Sequence, residues 1–522
     1  MKIKILDCTL RDGGYINNWN FKNEHICKIL KSLQDSKVDI IECGYLNFKD
    51  GRKYNTTLFK ELKDIDEFVE NLDSSILKVA MINFGDFDPD LLPLKRETYI
   101  DGIRIAFHKE KLTQALQQAV IIREKGYKVF FQPMITKRYK DIEFLDMLYK
   151  VNELNPYAFY IVDSFGSMTL KEFNKYVFLS DDNLNSDIIL GYHSHNNMQL
   201  AFANAINLSF QRLQRGVILD SSIYGIGRGA GNLNTELIMD YLNKEYGRTY
   251  NITPLLEIID SLLQTLMNKN SWGFSPAQYL SASLEIHPNY ANYLTSKNNI
   301  YIATIQKILN KIPFDKRNSF DKDLIEKLYI ETLLESNIQT KSSIDFDLNK
   351  KIFLIAPGFS VLDYNEEIAN KINSKEYIVI AINHKSKFKC DYYFFANQKR
   401  YDEFKELLEI SKIILTNNIS PNKQIEIVLD YKELAFLNQK FVSNAMILFL
   451  NYLIKNNIKE VEIAGFDGYK AGSQNYSYEE YDIQINEEYF KKQNKEITDL
   501  LHHLKKHINI HFITPSIYKD LE

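Results

Sequence analysis

The sequence predicts an α/β protein in which an N-terminal (β/α)8 barrel is followed by helices and a second, Rossmann-like α/β domain. From residue 3 to about 245, short continuous apolar runs alternate with amphipathic stretches. Continuous apolar runs are typical of strands that are buried on both faces of a sheet. After a mainly helical stretch, the same alternation restarts at residue 351. We therefore expect a barrel domain over residues 1–250, a helical extension over 251–345 and a Rossmann-like domain over 351–522.

Eight apolar runs in the first region have the length of strands. Eight strands interleaved with helices fit a TIM barrel of ordinary size, and an open doubly wound sheet is the alternative. The runs are residues 2–8, 38–44, 76–82, 101–107, 127–133, 157–163, 187–193 and 216–222.

Composition restricts the class of protein. The 522-residue chain is 45% hydrophobic and 25% charged, as globular proteins commonly are, and four cysteines are too few for a disulfide framework. A net charge of −4 argues against a dominant nucleic-acid surface. No signal peptide and no run of ~20 apolar residues is found, so we expect a cytoplasmic protein with neither a membrane span nor a nucleic-acid partner.

The first motif, DCTLRDGG at residues 7–14, follows the first predicted strand. Active sites of (β/α)8 barrels lie at the C-terminal ends of the strands. There, Asp12 can supply a metal ligand, and Arg11 can supply a positive charge where negative charge develops. A surface turn with a local ion pair is the alternative interpretation.

The second motif, GYHSHNN at residues 191–197, ends the seventh predicted strand. Residues two apart on a strand point to the same face, so His193 and His195 should project together into the barrel mouth. Two imidazoles and one carboxylate are a usual set for a catalytic divalent ion that keeps open positions. A pair of hydrogen-bonded strand histidines is the alternative.

The third motif is the glycine-rich segment from Asp220 to Asn232, after the eighth predicted strand. Glycine lets the backbone approach a ligand closely or adopt positive φ. The segment should form a second wall of the same site, with a phosphate-binding loop as the alternative. Asn232 can offer its side-chain oxygen to a metal or to a substrate.

Together, these motifs resemble the metal-dependent pyruvate lyases that share an Asp-Arg-Glu signature on a TIM barrel. That family includes 4-hydroxy-2-oxovalerate aldolase, hydroxymethylglutaryl-CoA lyase, and the isopropylmalate and homocitrate synthases. GRKYNTT at 51–57 and DSFGSMT at 163–169 are similar to the hydroxy-oxovalerate aldolase branch. The resemblance covers about residues 1–290. It implies a divalent metal, Mn²⁺ or Mg²⁺ ahead of Zn²⁺ or Co²⁺, and substrates that are a small 2-oxo acid and an aldehyde.

The resemblance also implies roles for individual residues. Arg11 would stabilise the enolate oxygen, and Glu42, on the second strand, would complete the signature. The substrate's 2-oxo acid end would bind the metal, which lowers the cost of an enolate as a Lewis acid. The metal ligands implied are Asp12, His193, His195 and, as a fourth, Asn232.

One position departs from the family pattern. In the hydroxy-oxovalerate aldolases a histidine four places after the arginine is the catalytic base, and here that position is Tyr15. Tyrosine, with an ordinary pKa of about 10, is a poorer base at neutral pH. His108 and His287 are the candidate replacements, and each has a structural role as its alternative. Residues expected to line the substrate pocket are Gln132, Asp163, Ser164 and Arg228.

In the C-terminal domain, the run 351–358 is a strand followed by a turn with Gly358 and Ser360. Such a turn at a helix N-terminus can bind an anion, but neither a dinucleotide fingerprint nor a P-loop is present. The turn, with Asn383 and Asp467, resembles a group of Rossmann-like domains that includes pterin pyrophosphokinase-like and bacterial sialyltransferase-like proteins. The resemblance implies a nucleotide or nucleotide-sugar site. A structural domain whose turns need glycine is the alternative.

The sequence thus predicts an aldolase or lyase that forms or consumes a pyruvate enolate at a metal. A C-terminal domain that binds a nucleotide or nucleotide-sugar would suit the biosynthesis of surface carbohydrate. One alternative is a Claisen-type synthase that uses an acyl-CoA. Another is a nucleotide-sugar-binding or glycosyl-transfer protein whose barrel is a scaffold. The aldehyde, the metal, the general base and the oligomeric state stay open.

Overall fold

The computed structural model divides the chain into two compact units. The first comprises Met1–Tyr293 with Ile312–Asp321, and the second comprises Leu294–Lys311 with Lys322–Glu522. Residues of the predicted helical extension, 251–345, therefore occur in both units. The structure describes residues 2–297, 299–341, 343–344, 346–347, 349–437, 439–470, 475–477 and 487–519.

The first unit is a closed barrel of eight parallel strands, as predicted, and the alternative of an open sheet is wrong. Each strand pairs with its neighbours in chain order, and the first strand pairs with both the second and the last. A two-residue strand, Leu58–Phe59, adds to the outer side of the second. The barrel strands are β1 (Ile3–Asp7), β2 (Ile40–Leu46), β3 (Leu77–Asn83), β4 (Gly102–Phe107), β5 (Lys128–Pro133), β6 (Ala158–Asp163), β7 (Ile189–Ser194) and β8 (Val217–Ser221).

Apolar side chains fill the inside of the barrel, so it has a packed core and no channel. Because all eight strands are parallel, their carboxyl ends meet at one mouth. Polar side chains that follow the strands therefore converge there. The buried interior cluster includes Leu6, Ile40, Val79, Phe130, Ala158, Tyr160 and Ile218.

Amphipathic helices cover the outside of the barrel, and further helices follow β8. A π-helical turn, Ile259–Leu263, joins two of them, and Pro288–Thr295 crosses the boundary between the units. The helices that begin in the first unit are Thr9–Asp12, Gly14–Asn17, Asn23–Asp35, Leu62–Val69, Leu112–Glu124, Asp141–Leu154, Leu170–Asn183, Ala201–Phe210, Thr235–Tyr246, Thr253–Ile258, Gln264–Lys269, Pro276–Ser283 and Pro288–Thr295.

The second unit is built on an open sheet of seven parallel strands. The sequence predicts five of them, from the apolar runs at 351–358, 376–383, 391–397, 460–467 and 508–515. The two that it misses, Ile413–Thr416 and Ile427–Leu429, are only three or four residues long. The sheet order is β13-β12-β11-β10-β9-β14-β15. The strands are β9 (Lys351–Ile355), β10 (Tyr377–Ile382), β11 (Tyr392–Phe395), β12 (Ile413–Thr416), β13 (Ile427–Leu429), β14 (Glu460–Ala464) and β15 (Asn509–Phe512).

Helices cover both faces of this sheet. Alternate residues of β9 pack into two separate cores, Ile352 and Leu354 into one and Phe353 and Ile355 into the other. After β9 the chain adds strands on one side, and at β14 it crosses to the other side. A crevice forms at the carboxyl edge where the strand order reverses in this way. The helices are Ile302–Asn310, Lys322–Leu333, Ser360–Asp363, Asn365–Asn373, Gln398–Phe404, Tyr431–Ala435, Ala445–Lys455 and Glu487–Leu504, and a short hairpin pairs Phe436–Leu437 with Lys440–Phe441.

Within the described part of the chain, no helix combines the length and apolar character needed to cross a bilayer.

Candidate metal centre

The barrel mouth brings together Asp12, His193 and His195. One potential ligand atom from each lies within 4.8 Å of the others, and all three side chains are buried. Asp12 ends the helical turn that directly follows β1, while His193 lies in β7 and His195 comes directly after it. Only β8 separates β1 from β7 in the barrel, so the two motifs meet although about 180 residues separate them in sequence.

The polar atoms around these residues fit a divalent ion. His193 Nδ1 lies 3.0 Å from the carboxylate of Asp220, which can only accept, so Nδ1 carries the proton and Nε2 keeps its lone pair for a metal. Asn232 donates its amide N–H to Asp12. Buried atoms that have no hydrogen-bond partner among the described residues include His195 Nδ1 and Asn232 Oδ1. Buried polar atoms of this kind require an explanation, and a bound ligand is a sufficient one.

The glycine-rich segment after β8 forms a wall of this centre. A Cβ atom on Gly227 would lie 2.7 Å from Asp12 Oδ2 and 2.2 Å from the side-chain nitrogen of Asn232. Glycine is therefore required there if the chain is to pass close to the carboxylate. The alternative of an isolated phosphate loop is less well supported, because this segment contacts the metal motif directly.

Arg11 is held between two carboxylates. Its Nε donates to Glu42 at 2.8 Å and its Nη1 donates to Asp12 at 2.6 Å, while its buried Nη2 has no partner among the described residues. Glu42 is fully buried on β2. Arg11 and Glu42 are thus paired in the structure, and one guanidinium nitrogen remains available to an incoming oxygen.

Burial and charge set the ionisation of the centre. Burial alone would raise the pKa of Asp12, but the charge of Arg11, followed by that of His195, lowers it below its ordinary value. Burial lowers the pKa of His195 to about 3. An ionised carboxylate and a neutral imidazole are the forms that bind a metal.

Two polar residues of the mouth, Arg104 on β4 and Asp220 on β8, are absent from the sequence-based set. Arg104 lies inside the barrel with no exposed surface, and it forms ion pairs with Glu42 and Asp220. Asp220 is the first residue of the third motif, but nothing in the sequence indicated that its carboxylate contacts His193. The signal for Arg104 was a single charged residue inside an otherwise apolar strand, GIRIAF.

Tyr15 lies at the rim of the mouth beside Arg228, whose guanidinium carbon is 5.6 Å from the centre of the tyrosine ring. Desolvation raises the pKa of Tyr15 above its ordinary value, against the opposing charges of Arg228 and Arg11. The phenol therefore keeps its proton at neutral pH. Tyr15 is placed where the resemblance puts the base, and its chemistry there is that of a proton donor.

His287 and His108 lie on the other side of Arg228. Arg228 Nη1 is 3.4 Å from His287 Nε2, and the backbone N–H of Asn289 donates to His287 Nδ1. Burial and then the charge of Arg228 lower the pKa of His287 well below its ordinary value. Burial lowers the pKa of His108 as well. Both rings are neutral near pH 7.

Among the predicted pocket residues, Gln132 is the one that faces the interior cluster. Its amide oxygen accepts from Arg104 Nε at 2.8 Å. Arg228 Nη2 donates to the backbone oxygen of Ser164, whose hydroxyl accepts from the N–H of Ile135. Ile135 has φ of 53°, so Ser164 supports a strained turn.

Asp163, predicted to line the substrate pocket, accepts hydrogen bonds from its own loop. Its carboxylate accepts the backbone N–H groups of Ser167 and Met168, which follow it in the loop after β6. Strand alternation gives the physical reason, because the neighbouring Val162 belongs to the interior cluster and Asp163 must then point outward. Burial raises the pKa of Asp163 to about 6.

In the second unit, a cavity of about 110 Å³ lies at the carboxyl edge where the strand order reverses. The predicted residues Gly358, Asn383 and Asp467 line it, together with Arg400 and the start of helix Ala445–Lys455. Ser360 is not among the residues that line the cavity, and its N–H and hydroxyl donate to the carboxylate of Asp467. That carboxylate occupies the donors that an anion would need.

Comparison with known proteins gives matches to the barrel part of the chain. Residues 103–261 match the HMGL-like family. The chain is 27% identical over 246 residues to a 4-hydroxy-2-oxovalerate aldolase of Geobacillus genomosp. 3, which covers 46% of this chain and 71% of the relative. It is 25% identical over 247 residues to the enzyme of the same name from Bacillus cereus (strain ATCC 10987 / NRS 248), covering 46% and 70%. A solved structure of the HMG-CoA lyase from Brucella melitensis superposes with a TM-score of 0.40 at 15% identity, covering 51% of this chain and 99% of that one.

The family match and the relatives support the metal-dependent pyruvate aldolase and lyase superfamily for the barrel unit. The protein is an enzyme of the aldolase or lyase class. Within that class it resembles the 4-hydroxy-2-oxovalerate aldolases, at about a quarter sequence identity.

Proposed function

We propose that the barrel unit cleaves or forms a carbon–carbon bond next to a 2-oxo acid of the pyruvate type, using a divalent metal held by Asp12, His193 and His195. The observation that carries this proposal is the buried group of one carboxylate and two imidazoles whose ligand atoms lie within 4.8 Å. Asn232 would be the fourth ligand, since its buried Oδ1 has no partner among the described residues. Mn²⁺ or Mg²⁺, ahead of Zn²⁺ or Co²⁺, is the choice that the resemblance implies, and the carboxylate and amide oxygens suit it, while the two imidazoles would also accept Zn²⁺ or Co²⁺.

When bound, the ion would supply Lewis-acid polarisation of a carbonyl oxygen. The residues of the chain would do the rest. Arg11, fixed by Glu42 and Asp12, directs Nη2 at the oxygen on which negative charge develops. Tyr15 would exchange a proton with the substrate oxygen that is a hydroxyl before cleavage and the aldehyde carbonyl after it. Its raised pKa suits a proton donor in the condensation direction.

Arg228 would bind the anionic end of a substrate. Its guanidinium lies between Tyr15 and His287, and its buried Nε has no partner among the described residues. A guanidinium binds a carboxylate through two parallel hydrogen bonds. His287 and His108 would line the acceptor side of the pocket, with Gln132 at its base. A base role for His287 is disfavoured, because protonation would place a second positive charge next to Arg228.

Proton exchange at pyruvate tests the proposal. The protein loaded with Mn²⁺ should exchange the methyl protons of pyruvate with D₂O, observed by ¹H NMR, and EDTA should stop the exchange. His193→Ala combined with His195→Ala should abolish it. His25→Ala is the matched control, since His25 lies on an outer helix beside Glu24. Exchange that survives EDTA, or that no metal restores, would contradict the proposal. Release of free thiol from acetyl-CoA during turnover would favour the Claisen-type synthase instead.

For the second unit, we propose a ligand with phosphate groups and a ring, such as a nucleotide or nucleotide-sugar, in the cavity at the carboxyl edge. Arg400 is the only arginine of the sequence after residue 317, in a chain that otherwise uses lysine there. It lines the cavity opposite Gly358, beside Tyr476. Because a guanidinium matches phosphate geometry better than an ammonium, one retained arginine supports recognition of a phosphate.

This ligand would place its phosphates against Arg400 and the N-terminal end of helix Ala445–Lys455, rather than on the turn with Ser360. That helix has eleven residues, and its first residues line the cavity. Titration calorimetry with inorganic pyrophosphate and with ADP on the intact chain tests the site. Arg400→Gln should weaken binding at least about tenfold, and Lys405→Gln should not, because Lys405 is on the same segment and is likewise paired with a carboxylate but is not among the residues that line the cavity. Equal binding by the Arg400 variant would contradict the assignment. Cytoplasmic location and a role in surface carbohydrate assembly remain predictions that accompany it.

A further inference from the structure

Arg104 is the deepest charged residue of the barrel. It interrupts the apolar strand β4 and its side chain has no exposed surface. Removing a guanidinium from water is costly unless carboxylates pair with it. Its position inside the barrel therefore requires partners, and the structure supplies two of them.

The two partners belong to different parts of the centre. Arg104 Nη1 lies 2.8 Å from Glu42 Oε2, and Arg104 Nη2 contacts Asp220 Oδ2. Glu42 also receives the hydrogen bond from Arg11, and Asp220 also accepts from His193. Arg104 is thus the common neighbour of two carboxylates, each of which orients one working side chain.

We propose that Arg104 is the positioning residue that fixes the metal ligand His193 and the oxygen-stabilising Arg11 relative to each other. It acts through Asp220 on His193 and through Glu42 on Arg11, and it touches neither a metal ligand nor a substrate itself. The inference rests on the proposed function, because it concerns the same site.

The physical reason lies in how a carboxylate is held. In each carboxylate, one oxygen receives both contacts, Glu42 Oε2 from Arg104 and Arg11 and Asp220 Oδ2 from Arg104 and His193. A carboxylate whose oxygen contacts a single partner can rotate with it, whereas one whose oxygen lies between a guanidinium and its working residue cannot move without losing one of the two contacts. Asp220 then keeps the proton of His193 on Nδ1 and directs Nε2 toward Asp12. Glu42 likewise keeps Arg11 Nη2 at one position. Loss of Arg104 should loosen both at once.

The other contacts of Arg104 preserve its geometry. Gln132 accepts from the guanidinium, and the guanidinium carbon lies 5.1 Å from the centre of the Tyr160 ring. Gly191, on the adjacent strand, makes room for that ring, since a Cβ there would lie 2.4 Å from it. These contacts come from β5, β6 and β7, so several strands fix one guanidinium.

Two measurements separate the effect of Arg104 on His193, through Asp220, from its effect on Arg11, through Glu42. Mn²⁺ affinity, measured by calorimetry without substrate, reports on His193, and pyruvate proton exchange at saturating Mn²⁺ reports on Arg11. Asp220→Asn should mainly weaken Mn²⁺ binding, by about 10- to 100-fold. Glu42→Gln should mainly slow exchange at saturating metal, by a similar factor. Arg104→Gln should do both, and Arg104→Lys should restore part of each effect.

Arg215→Gln is the matched control, because Arg215 is equally buried and paired with Asp181 at 2.8 Å. It should lower the melting temperature while leaving Mn²⁺ affinity and exchange within about twofold of wild type. The double variant Arg104→Gln, Asp220→Asn should bind Mn²⁺ no more weakly than Asp220→Asn alone, because the two residues act in series.

The outcomes are distinct. A wild-type protein that neither binds Mn²⁺ nor exchanges pyruvate protons would overturn the proposed function, and the role of Arg104 with it. A functional wild type with a folded Arg104→Gln variant that changes neither readout would overturn this inference alone. If Arg104→Gln does not fold, Asp220→Asn and Glu42→Gln test the inference instead. If both of these variants lose Mn²⁺ affinity and proton exchange to the same extent, the separate action of Arg104 on His193 and on Arg11 is overturned.

Discussion

At the barrel mouth, five charged side chains lie buried within contact of one another, whereas at the cavity of the second unit the charged groups are separate and partly exposed. The mouth contains Arg11, Asp12, Glu42, Arg104 and Asp220. In the second unit, the carboxylate of Asp467 accepts hydrogen bonds from Ser360. The side chain of Arg400 is 19% exposed and forms an ion pair with Glu403.

Both regions occupy the same place in their folds, the carboxyl ends of parallel strands. The difference is in what the buried polar atoms lack. In the mouth, several buried polar atoms have no hydrogen-bond partner among the described residues. A low local dielectric strengthens the electrostatic interaction between these groups and any charged ligand that binds there. At the cavity, the N–H and the hydroxyl of Ser360 already have a hydrogen-bond acceptor within the protein, the carboxylate of Asp467. This difference fits the two proposals, a reaction at the mouth and ligand binding at the cavity.

The largest expected effect is on metal binding at the mouth. His193→Ala combined with His195→Ala should lower Mn²⁺ affinity by more than about 100-fold, because two of the three buried ligands are removed. Calorimetry on the purified variant measures it, with His25→Ala as the control. Retention of tight Mn²⁺ binding would show that the metal binds elsewhere and would contradict the assignment of the metal site to the barrel mouth.

Metal addition should stabilise one unit and not the other. At about 100 times its Kd, Mn²⁺ should stabilise the folded barrel by about 2.7 kcal/mol. Hydrogen exchange measured by mass spectrometry should then slow in peptides from β1 and β7, while peptides from β9 and β14 stay unchanged. EDTA should reverse the protection. Equal protection of both units would show that the metal site is not confined to the mouth.

The hydrogen-bonded turn of the second unit gives a smaller effect. Asp467→Asn should destabilise that unit by about 1–3 kcal/mol, since one donor of Ser360 loses its charged acceptor. Hydrogen exchange in β9 and β14 should therefore become faster, and Mn²⁺ affinity should not change. Asp363→Asn, at an exposed neighbouring position, is the control. An unchanged exchange rate in β9 would mean that the Asp467 contact contributes little.

The smallest effect is a pH dependence at Asp163. Burial raises the pKa of this carboxyl to about 6 in the folded barrel, above its unfolded value, so the stability it contributes is present at low pH and lost as pH rises. From about pH 5 to about pH 7, the loss should be about 1 kcal/mol. Burial raises the pKa of Asp7 to about 6 as well, so urea unfolding should show a slope in both proteins that is smaller in Asp163→Asn than in wild type by the contribution of Asp163. An opposite slope would contradict the assignment.

The sequence predicted the barrel closely, because continuous apolar runs and helical periodicity are local signals. All eight strands lie within about two residues of their predicted positions. In the second unit, the strands Ile413–Thr416 and Ile427–Leu429 were missed, since three or four residues carry too little pattern to separate a strand from a loop.

Side-chain engagement was harder to predict than position. Strand position alone suggested that Asp163 lines the pocket and that Ser360 is free for an anion. Each is instead bonded to groups that the sequence does not identify, the N–H groups of Ser167 and Met168 for one and the carboxylate of Asp467 for the other. The roles of Asp12, His193, His195 and Arg11 remain predictions of the sequence that the geometry supports.

By itself the sequence determined the chemistry that is available: H-x-H at the end of one strand, Arg-Asp after another, and the glycines that let a loop approach them. Only the tertiary structure decided how those groups act on each other. Arg104, Glu42 and Asp220 come from three different strands, and their contacts depend on the closure of the barrel. Interactions between residues far apart in the chain leave no local periodicity, so the network behind the metal ligands became visible only when the strands were placed side by side.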